Sequence, residues 1–244
     1  MAVAALLISV VPASAASDDY QNPLDMRVPG DGAVESCADP TVIRSKTAGD
    51  RAWYMYCTTD PLNSADKTGN DFNFHLIPTF RSMDLVRWTY VGDAFTSRPS
   101  WAEPTAGLWA PEIKFFNGLY YLYFGVTDVK PAISGEPDTC HDDNAIGVAT
   151  STSPTGPWTV SPAPVVEPRR GGGGCNFFWT FDPDVITAQD SANLGQKFIY
   201  YGSYYGGVQV RQLSPDGLTS NPATAVQVAI PNRYEGSEVI YRGG

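Results

Sequence analysis

Three carboxylates stand in a recurring sequence setting: Asp39 in Ala38-Asp39-Pro40, Asp182 in Phe181-Asp182-Pro183 and Glu235 in Tyr234-Glu235-Gly236. Little other reactive chemistry is on offer. There are two histidines, His75 and His141, and the four cysteines Cys37, Cys57, Cys140 and Cys175 show no C-x-x-C spacing, which sets aside zinc fingers, thioredoxin-like redox sites and most histidine-based catalysis. What carboxylates do unaided is general acid–base work. Hydrolysing a glycosidic bond needs one carboxylic acid to protonate the leaving oxygen and one carboxylate to activate water or attack carbon, with neither histidine nor metal. Two acids sharing a pocket also drive one pKa upward, which is how one of a pair stays protonated near neutral pH. A single Asp-Pro is an ordinary turn or strand start. The argument for a site is that acids recur at the same place in separate repeats.

For residues 39, 182 and 235 to meet, the scaffold must converge distant segments on one point, and the chain carries a repeat suited to that. Its openings are Ala38-Asp39-Pro40-Thr41-Val42-Ile43, Trp109-Ala110-Pro111-Glu112-Ile113, Phe181-Asp182-Pro183-Asp184-Val185-Ile186 and Tyr234-Glu235-Gly236-Ser237-Glu238-Val239-Ile240, with Pro40, Pro111 and Pro183 spaced 71 and 72 residues apart. An aromatic strand-like run follows each of the first three, at residues 52–57, 119–124 and 197–201, and a third run at about 74–81, 145–150 and 207–212. Two units close with Trp88-Thr89 and Trp158-Thr159 after a polar turn. No segment has helical periodicity, and 23 glycines and 20 prolines supply turns, so the fold class is all-β. Four strands per unit, repeated with insertions in the turns, mark a β-propeller, in which the first strand of every blade lines the central axis. A β-sandwich with coincidental Asp-Pro turns is the competing architecture, and four like openings count against it. Three complete blades fit before residue 240, with the first strand of a fourth after them. A propeller closes its ring to remove sheet edges, so the sequence is expected to be the front part of a longer protein.

Taken together, Ala38-Asp39-Pro40, Trp109-Ala110-Pro111-Glu112-Ile113, Ser151-Thr152-Ser153-Pro154-Thr155-Gly156-Pro157-Trp158, Phe181-Asp182-Pro183 and Tyr234-Glu235-Gly236 resemble glycoside hydrolase family 43, from about Gln21 to the last residue. The resemblance implies a five-bladed β-propeller acting on arabinose- and xylose-containing plant polysaccharides with inversion at the anomeric carbon. It implies Asp39 as general base, Asp182 as the acid that orients the catalytic acid and modulates its pKa, and Glu235 as general acid. Many members carry Glu-Gly-Pro or Glu-Ala-Pro at that last motif. Here it is Glu235-Gly236-Ser237, which makes Glu238 the rival for the acid's role. The retaining fructan-active propellers are set aside because their Trp-Met-Asn-Asp-Pro-Asn opening is absent.

Sugars present flat C–H faces, so their sites are walled by aromatic rings. Trp109, beside an axial strand head, is the first stacking candidate, followed by Phe178, Trp179 and Tyr205, whereas Trp53, Trp88 and Trp158 read as packing between blades. Arg169-Arg170-Gly171-Gly172-Gly173-Gly174 lacks the Lys-Ser/Thr of a phosphate loop and reads as a flexible surface loop tied down by Cys175. His75 reads as packed, and His141-Asp142-Asp143-Asn144 as a solvated turn in preference to a cation site.

The formal charge of −10 makes nucleic acid and anionic membranes poor candidate partners, and the resemblance implies a plant polysaccharide or oligosaccharide as substrate. Residues 2–11 form a short apolar run followed by Pro12-Ala13-Ser14-Ala15, an A-x-A pattern, so residues 1–15 read as a signal peptide and 16–244 as the incomplete propeller domain of a secreted monomer. Secretion suits an even cysteine count. Four cysteines allow three pairings, of which Cys37–Cys57 and Cys140–Cys175 are preferred because each falls within one repeat. The reaction requires no cofactor and no catalytic metal, and a structural cation near the axis is compatible with it. The sequence thus points to an inverting glycosidase on arabinofuranosyl or related pentosyl linkages, with arabinan favoured over arabinoxylan and xylan. The alternative is a carbohydrate-binding propeller without catalysis, which would share the aromatics but has no need of three acids at blade heads.

Overall fold

Strands form where the aromatic and β-branched runs lie. The computed structural model describes residues 24–137 and 139–242, so the expected signal segment at 1–15 lies outside the described residues. In chain order, β1 (Asp25–Val28) and β2 (Gly32–Ala33) form a ribbon, then come β3 (Thr41–Arg44), β4 (Trp53–Tyr56), the small hairpin β5 (Lys67–Thr68) and β6 (Asp71–Phe72), β7 (Pro78–Ser82) and β8 (Arg87–Asp93). The second unit is β9 (Leu108–Phe116), β10 (Leu119–Val126), the single helical turn α1 (Pro131–Ser134), β11 (Ala145–Ser151) and β12 (Thr159–Val160). A two-stranded ribbon, β13 (Arg169–Arg170) and β14 (Phe177–Phe178), leads to β15 (Asp184–Thr187), β16 (Lys197–Tyr201), β17 (Val208–Gln212) and β18 (Val226–Ala229).

These make three principal sheets with the order β2-β1-β8-β7-β4-β3, β12-β11-β10-β9 and β15-β16-β17-β18. Within each, four consecutive antiparallel strands step outward from β3, β9 or β15, the blade pattern of an all-β propeller. Of the innermost strands, β9 touches both β3 and β15, so the three stand side by side around one axis. Both faces of the middle strand β10 are apolar because each faces a neighbouring sheet. In β10, Tyr120, Leu122, Phe124 and Val126 join the core shared with the first sheet, while Tyr121 and Tyr123 join the core shared with the third. In β4, Tyr54 and Tyr56 face the second sheet, and Met55 faces a core with Phe80 and Trp88. Burying each such ring contributes on the order of 2–3 kcal/mol. Their hydroxyls stay paired: Tyr123 donates to the Gly217 carbonyl at 2.9 Å, and Tyr120 accepts the Lys46 N–H at 2.6 Å.

Both preferred disulfides, Cys37–Cys57 and Cys140–Cys175, are formed. Trp158 packs against the core between the first two sheets, whereas Trp88, with Trp53 against it, sits in a cluster made by the first sheet and its own ribbon. The third strand of the first unit starts at Pro78 and not near residue 74, because His75 is drawn into a polar clamp. Its ring nitrogens lie 2.9 Å from Asp93 and from Asp66, with the Tyr90 hydroxyl at 3.0 Å. The fourth opening differs more. A strand needs a ladder partner, and among the described residues 231–242 has none, so the segment is not a strand: the Asn232 N–H donates to the Tyr204 carbonyl at 2.7 Å, and further along the backbone donates to carboxylates. No helix among the described residues is long and apolar enough to cross a membrane.

Candidate active site

A cavity of about 1080 Å³ opens at the ends of β3, β9 and β15, and Asp39, Asp182 and Glu235 all line it. The sequence therefore named three acids that the fold does bring together. Glu238, the rival for Glu235, lines it too. Two devices aim the blade-head acids. The first is backbone: Asp39, Ala110 and Asp182, each immediately before a proline, adopt φ of +48°, +44° and +54°. This left-handed region costs a non-glycine residue about 1–2 kcal/mol. Ala110 adopts it without carrying a reactive group, so the turn belongs to the blade opening and the acids are placed upon it. The second device is a hydroxyl two residues past the second strand of the blade. Thr58 donates to Asp39 Oδ2 at 2.8 Å and accepts the Ala110 N–H at 2.8 Å, joining two blade heads. Ser203, at the matching position after β16, hydrogen-bonds Asp182 and lies 3.5 Å from Glu235 Oε2.

Burial and charge act on Asp182. Burial pushes the Asp182 carboxyl above its ordinary 3.8, the charges of Asp39 and Glu235 push the same way, and the Ser203 hydroxyl and the Gly236 N–H, 3.0 Å from Oδ2, oppose them. Two residues further along each inner strand, on the same face, lies a second ring that the sequence reading did not single out: Thr41, Glu112 and Asp184. Glu112 Oε2 accepts from the Thr41 hydroxyl at 2.7 Å, and Lys114 pairs with Glu112 Oε1 and with Asp184 Oδ1 at 3.1 Å. Burial raises Glu112 from 4.5 to about 7 even against the Lys114 charge. Burial tends to lower the Lys114 amine, but Glu112 and then Asp184 outweigh it and hold it above its ordinary value. The available signal was a polar residue two positions after each head, at Thr41, Glu112 and Asp184.

Of the aromatic candidates, Trp109 and Trp179 line the cavity and are 43% and 40% exposed, leaving ring surface free for stacking. The Trp109 ring leans on Phe181 at 5.4 Å and lies so close over Gly107 that a Cβ there would sit 2.4 Å from its Nε1. The structure does not bring Phe178 and Tyr205 to the cavity wall. Phe178 is fixed in the β13–β14 ribbon, edge-on to Tyr205 at 5.3 Å and with the Arg169 guanidinium 5.7 Å over its ring. That ribbon corrects the surface-loop reading for Arg169 and Arg170, while residues 172–174 form an exposed bend as expected. Arg169 is 7% exposed and donates to the Thr180 hydroxyl at 3.2 Å and to the Trp179 carbonyl. It is a buried strap beneath the tryptophan that walls the cavity. The solvated turn expected at 141–144 is half correct. His141 and Asp142 are exposed on the cavity lining, but Asp143 and Asn144 are 1% exposed and accept the Val129 and Thr180 N–H groups. Among the described residues no group of three or more His, Cys, Asp or Glu is arranged to hold a metal ion.

Residues 33–244 match the family model for glycosyl hydrolases family 43. The chain belongs to that family. Within family 43, it is 25% identical over 215 residues to the extracellular endo-alpha-(1->5)-L-arabinanase 1 of Bacillus subtilis, covering 84% of this chain and 56% of that protein. It is 30% identical over 190 residues to an extracellular exo-alpha-(1->5)-L-arabinofuranosidase of Cellvibrio japonicus, covering 73% of this chain and 44% of the relative. The chain thus spans about half the length of these curated relatives. Among solved structures, the family 43 endo-arabinanase of Bacillus licheniformis superposes with a TM-score of 0.63 at 22% identity, covering 91% of this chain and 65% of that one. An alpha-L-arabinofuranosidase of Clostridium thermocellum gives 0.57 at 28% identity, covering 81% and 58%.

Proposed function

We propose that the whole protein is a secreted, monomeric, inverting glycoside hydrolase that cleaves alpha-L-arabinofuranosyl or related pentosyl bonds in plant cell-wall polysaccharide, arabinan first among them. One observation carries this: three carboxylates from separate segments, Asp39, Asp182 and Glu235, line one sugar-sized cavity walled by Trp109 and Trp179. Glu235 protonates the departing glycosidic oxygen as the bond to the anomeric carbon breaks. Asp39 takes a proton from the water that attacks the opposite face, and the anomeric centre inverts. Asp182, hydrogen-bonded to the Gly236 N–H beside Glu235, orients that acid. Proton transfer between carboxylates and water needs no cofactor. The extracellular relatives and the two disulfides support secretion. The test is release of reducing sugar by the full-length protein from linear arabinan, arabinoxylan and aryl pentosides, with Asp39→Asn as control. Tight binding of arabinan without any release would favour the binding-only alternative.

A further inference from the structure

The segment that carries Glu235 is held in an unusual way. Among the described residues it has no strand ladder, and its backbone is fastened to side chains of the third unit. The Gly236 N–H donates to Asp182 Oδ2 at 3.0 Å, and the Val239 N–H donates to Asp184 Oδ2 at 2.6 Å. These two bonds bracket residues 236–239. Asp182 is anchored by Ser203 from its own blade. Asp184 is anchored from the next blade, because its other oxygen faces the Lys114 ammonium at 3.1 Å, and its side chain is 2% exposed.

Lys114 follows Glu112 by two positions in β9, so the two side chains share the strand face that looks toward the axis. One ammonium thereby meets two carboxylates, one from its own strand and one from β15. Remove it, and two nearly dehydrated carboxylates are left with no cation. Such a pair does not keep both charges, and at least one takes up a proton. The proton goes first to Glu112, already raised to about 7, and Asp184 is left buried without the ammonium that fixes its side chain against the Val239 N–H.

We propose that Lys114 is a positioning residue for the proton-donating glutamate: it fixes Asp184, and Asp184 fixes the 236–239 backbone that sets where Glu235 stands. Lys114 acts through Asp184 and does not touch the reacting atoms. The proposal rests on the hydrolytic reading above and adds to it a residue two blade heads away from the acid it serves.

The experiment compares Lys114→Met, Lys114→Arg and Asp184→Asn in the full-length protein on two substrates. One is a dinitrophenyl arabinofuranoside, whose phenolate departs without a proton. The other is an arabino-oligosaccharide, whose leaving alkoxide needs the acid. Because a general acid contributes about 10²–10⁴-fold, Lys114→Met and Asp184→Asn should lower kcat on the oligosaccharide at least about 30-fold more than on the dinitrophenyl substrate. Lys114→Arg, which keeps the charge, should stay near wild type on both. Backbone hydrogen exchange at Gly236 and Val239 should accelerate in Lys114→Met and not in Lys114→Arg. Equal losses on the two substrates would show general damage and overturn the proposal, as would wild-type kinetics or unchanged exchange at those two amides. If the wild-type protein cleaves neither substrate, the hydrolytic reading fails by itself. The exchange arm still decides whether Lys114 holds the segment.

Discussion

Replacing Thr58 by valine removes one oxygen that serves two blades. The side chain keeps its shape, but Asp39 Oδ2 loses a donor at 2.8 Å and the Ala110 N–H loses its acceptor at 2.8 Å. Ala110 is 8% exposed, so its N–H cannot turn to water, and an orphaned buried donor costs about 1–3 kcal/mol. The bond to Asp39 is charge-assisted, worth about 1.5–3 kcal/mol in a buried setting. Because Asp39 itself is exposed, water replaces most of that loss. The net expectation is destabilisation of about 2 kcal/mol, dominated by the orphaned N–H. Thr58→Ser keeps both hydrogen bonds and gives up one buried methyl, about 0.8 kcal/mol. Equilibrium unfolding in urea at fixed pH measures both variants. Turnover should separate them further: the valine variant lets the Asp39 carboxylate turn away from its working position, and a ten-fold fall in kcat corresponds to about 1.4 kcal/mol. Serine should stay near wild type. A valine variant as stable and active as wild type, or a serine variant as damaged as the valine one, would refute the assignment of Thr58 as a bridge between blade heads.

Glu112 makes a pH prediction. Its folded pKa of about 7 lies above the ordinary 4.5, so the folded state holds an extra proton between those values. The associated stability is fully present below pH 4.5 and is lost as pH rises through 7. Glu112→Gln removes this dependence, so its unfolding free energy should gain on wild type by up to about 3 kcal/mol from pH 4.5 to 8, and parallel pH profiles would contradict the assignment. Asp39→Asn and Glu235→Gln should each lose orders of magnitude in kcat with melting temperature unchanged, because each removes one proton transfer. Wild-type turnover in Glu235→Gln, with the loss appearing in Glu238→Gln, would move the acid to Glu238. The Cys37–Cys57 bridge spans 20 residues and Cys140–Cys175 spans 35, so replacing either pair by serine should cost about 3–4 kcal/mol in urea unfolding.

The repeat was legible because proline, an acid and an aromatic strand recur at nearly constant spacing, and spacing survives in one dimension. The acids at 39 and 182 were legible for the same reason, and Glu235 through the likeness of its opening, which comes 53 residues after Asp182 and lacks the proline. Glu112, Lys114 and Asp184 were not. A charged residue alternating with apolar ones in a strand ordinarily marks the water-facing side, and only the third dimension shows that the inner face of these strands meets two other strands. Arg169 was misread because a buried guanidinium next to four glycines looks like a loop until Thr180 and the Trp179 carbonyl fold over it. Phe178 is next to Trp179 in sequence but packs on Tyr205, which comes 26 residues after Trp179, and which of two adjacent aromatics faces a cavity is set by the ribbon that holds Phe178. The fourth opening matched the repeat in letters, yet its backbone is held by carboxylates, a choice set by which partners are present to pair with.

The central claim is that Asp39 and Glu235 act on opposite faces of one arabinofuranosyl ring with water between them. Proton NMR of the full-length protein acting on an alpha-linked arabino-oligosaccharide reads this directly, through the anomer formed before mutarotation. The account predicts that the beta anomer appears first and that Asp39→Asn abolishes it. Alpha product formed first would make the reaction retaining, with carboxyl groups near 5 Å apart and not roughly 6.5–9.5 Å, and would contradict the assignment of Asp39 as the base.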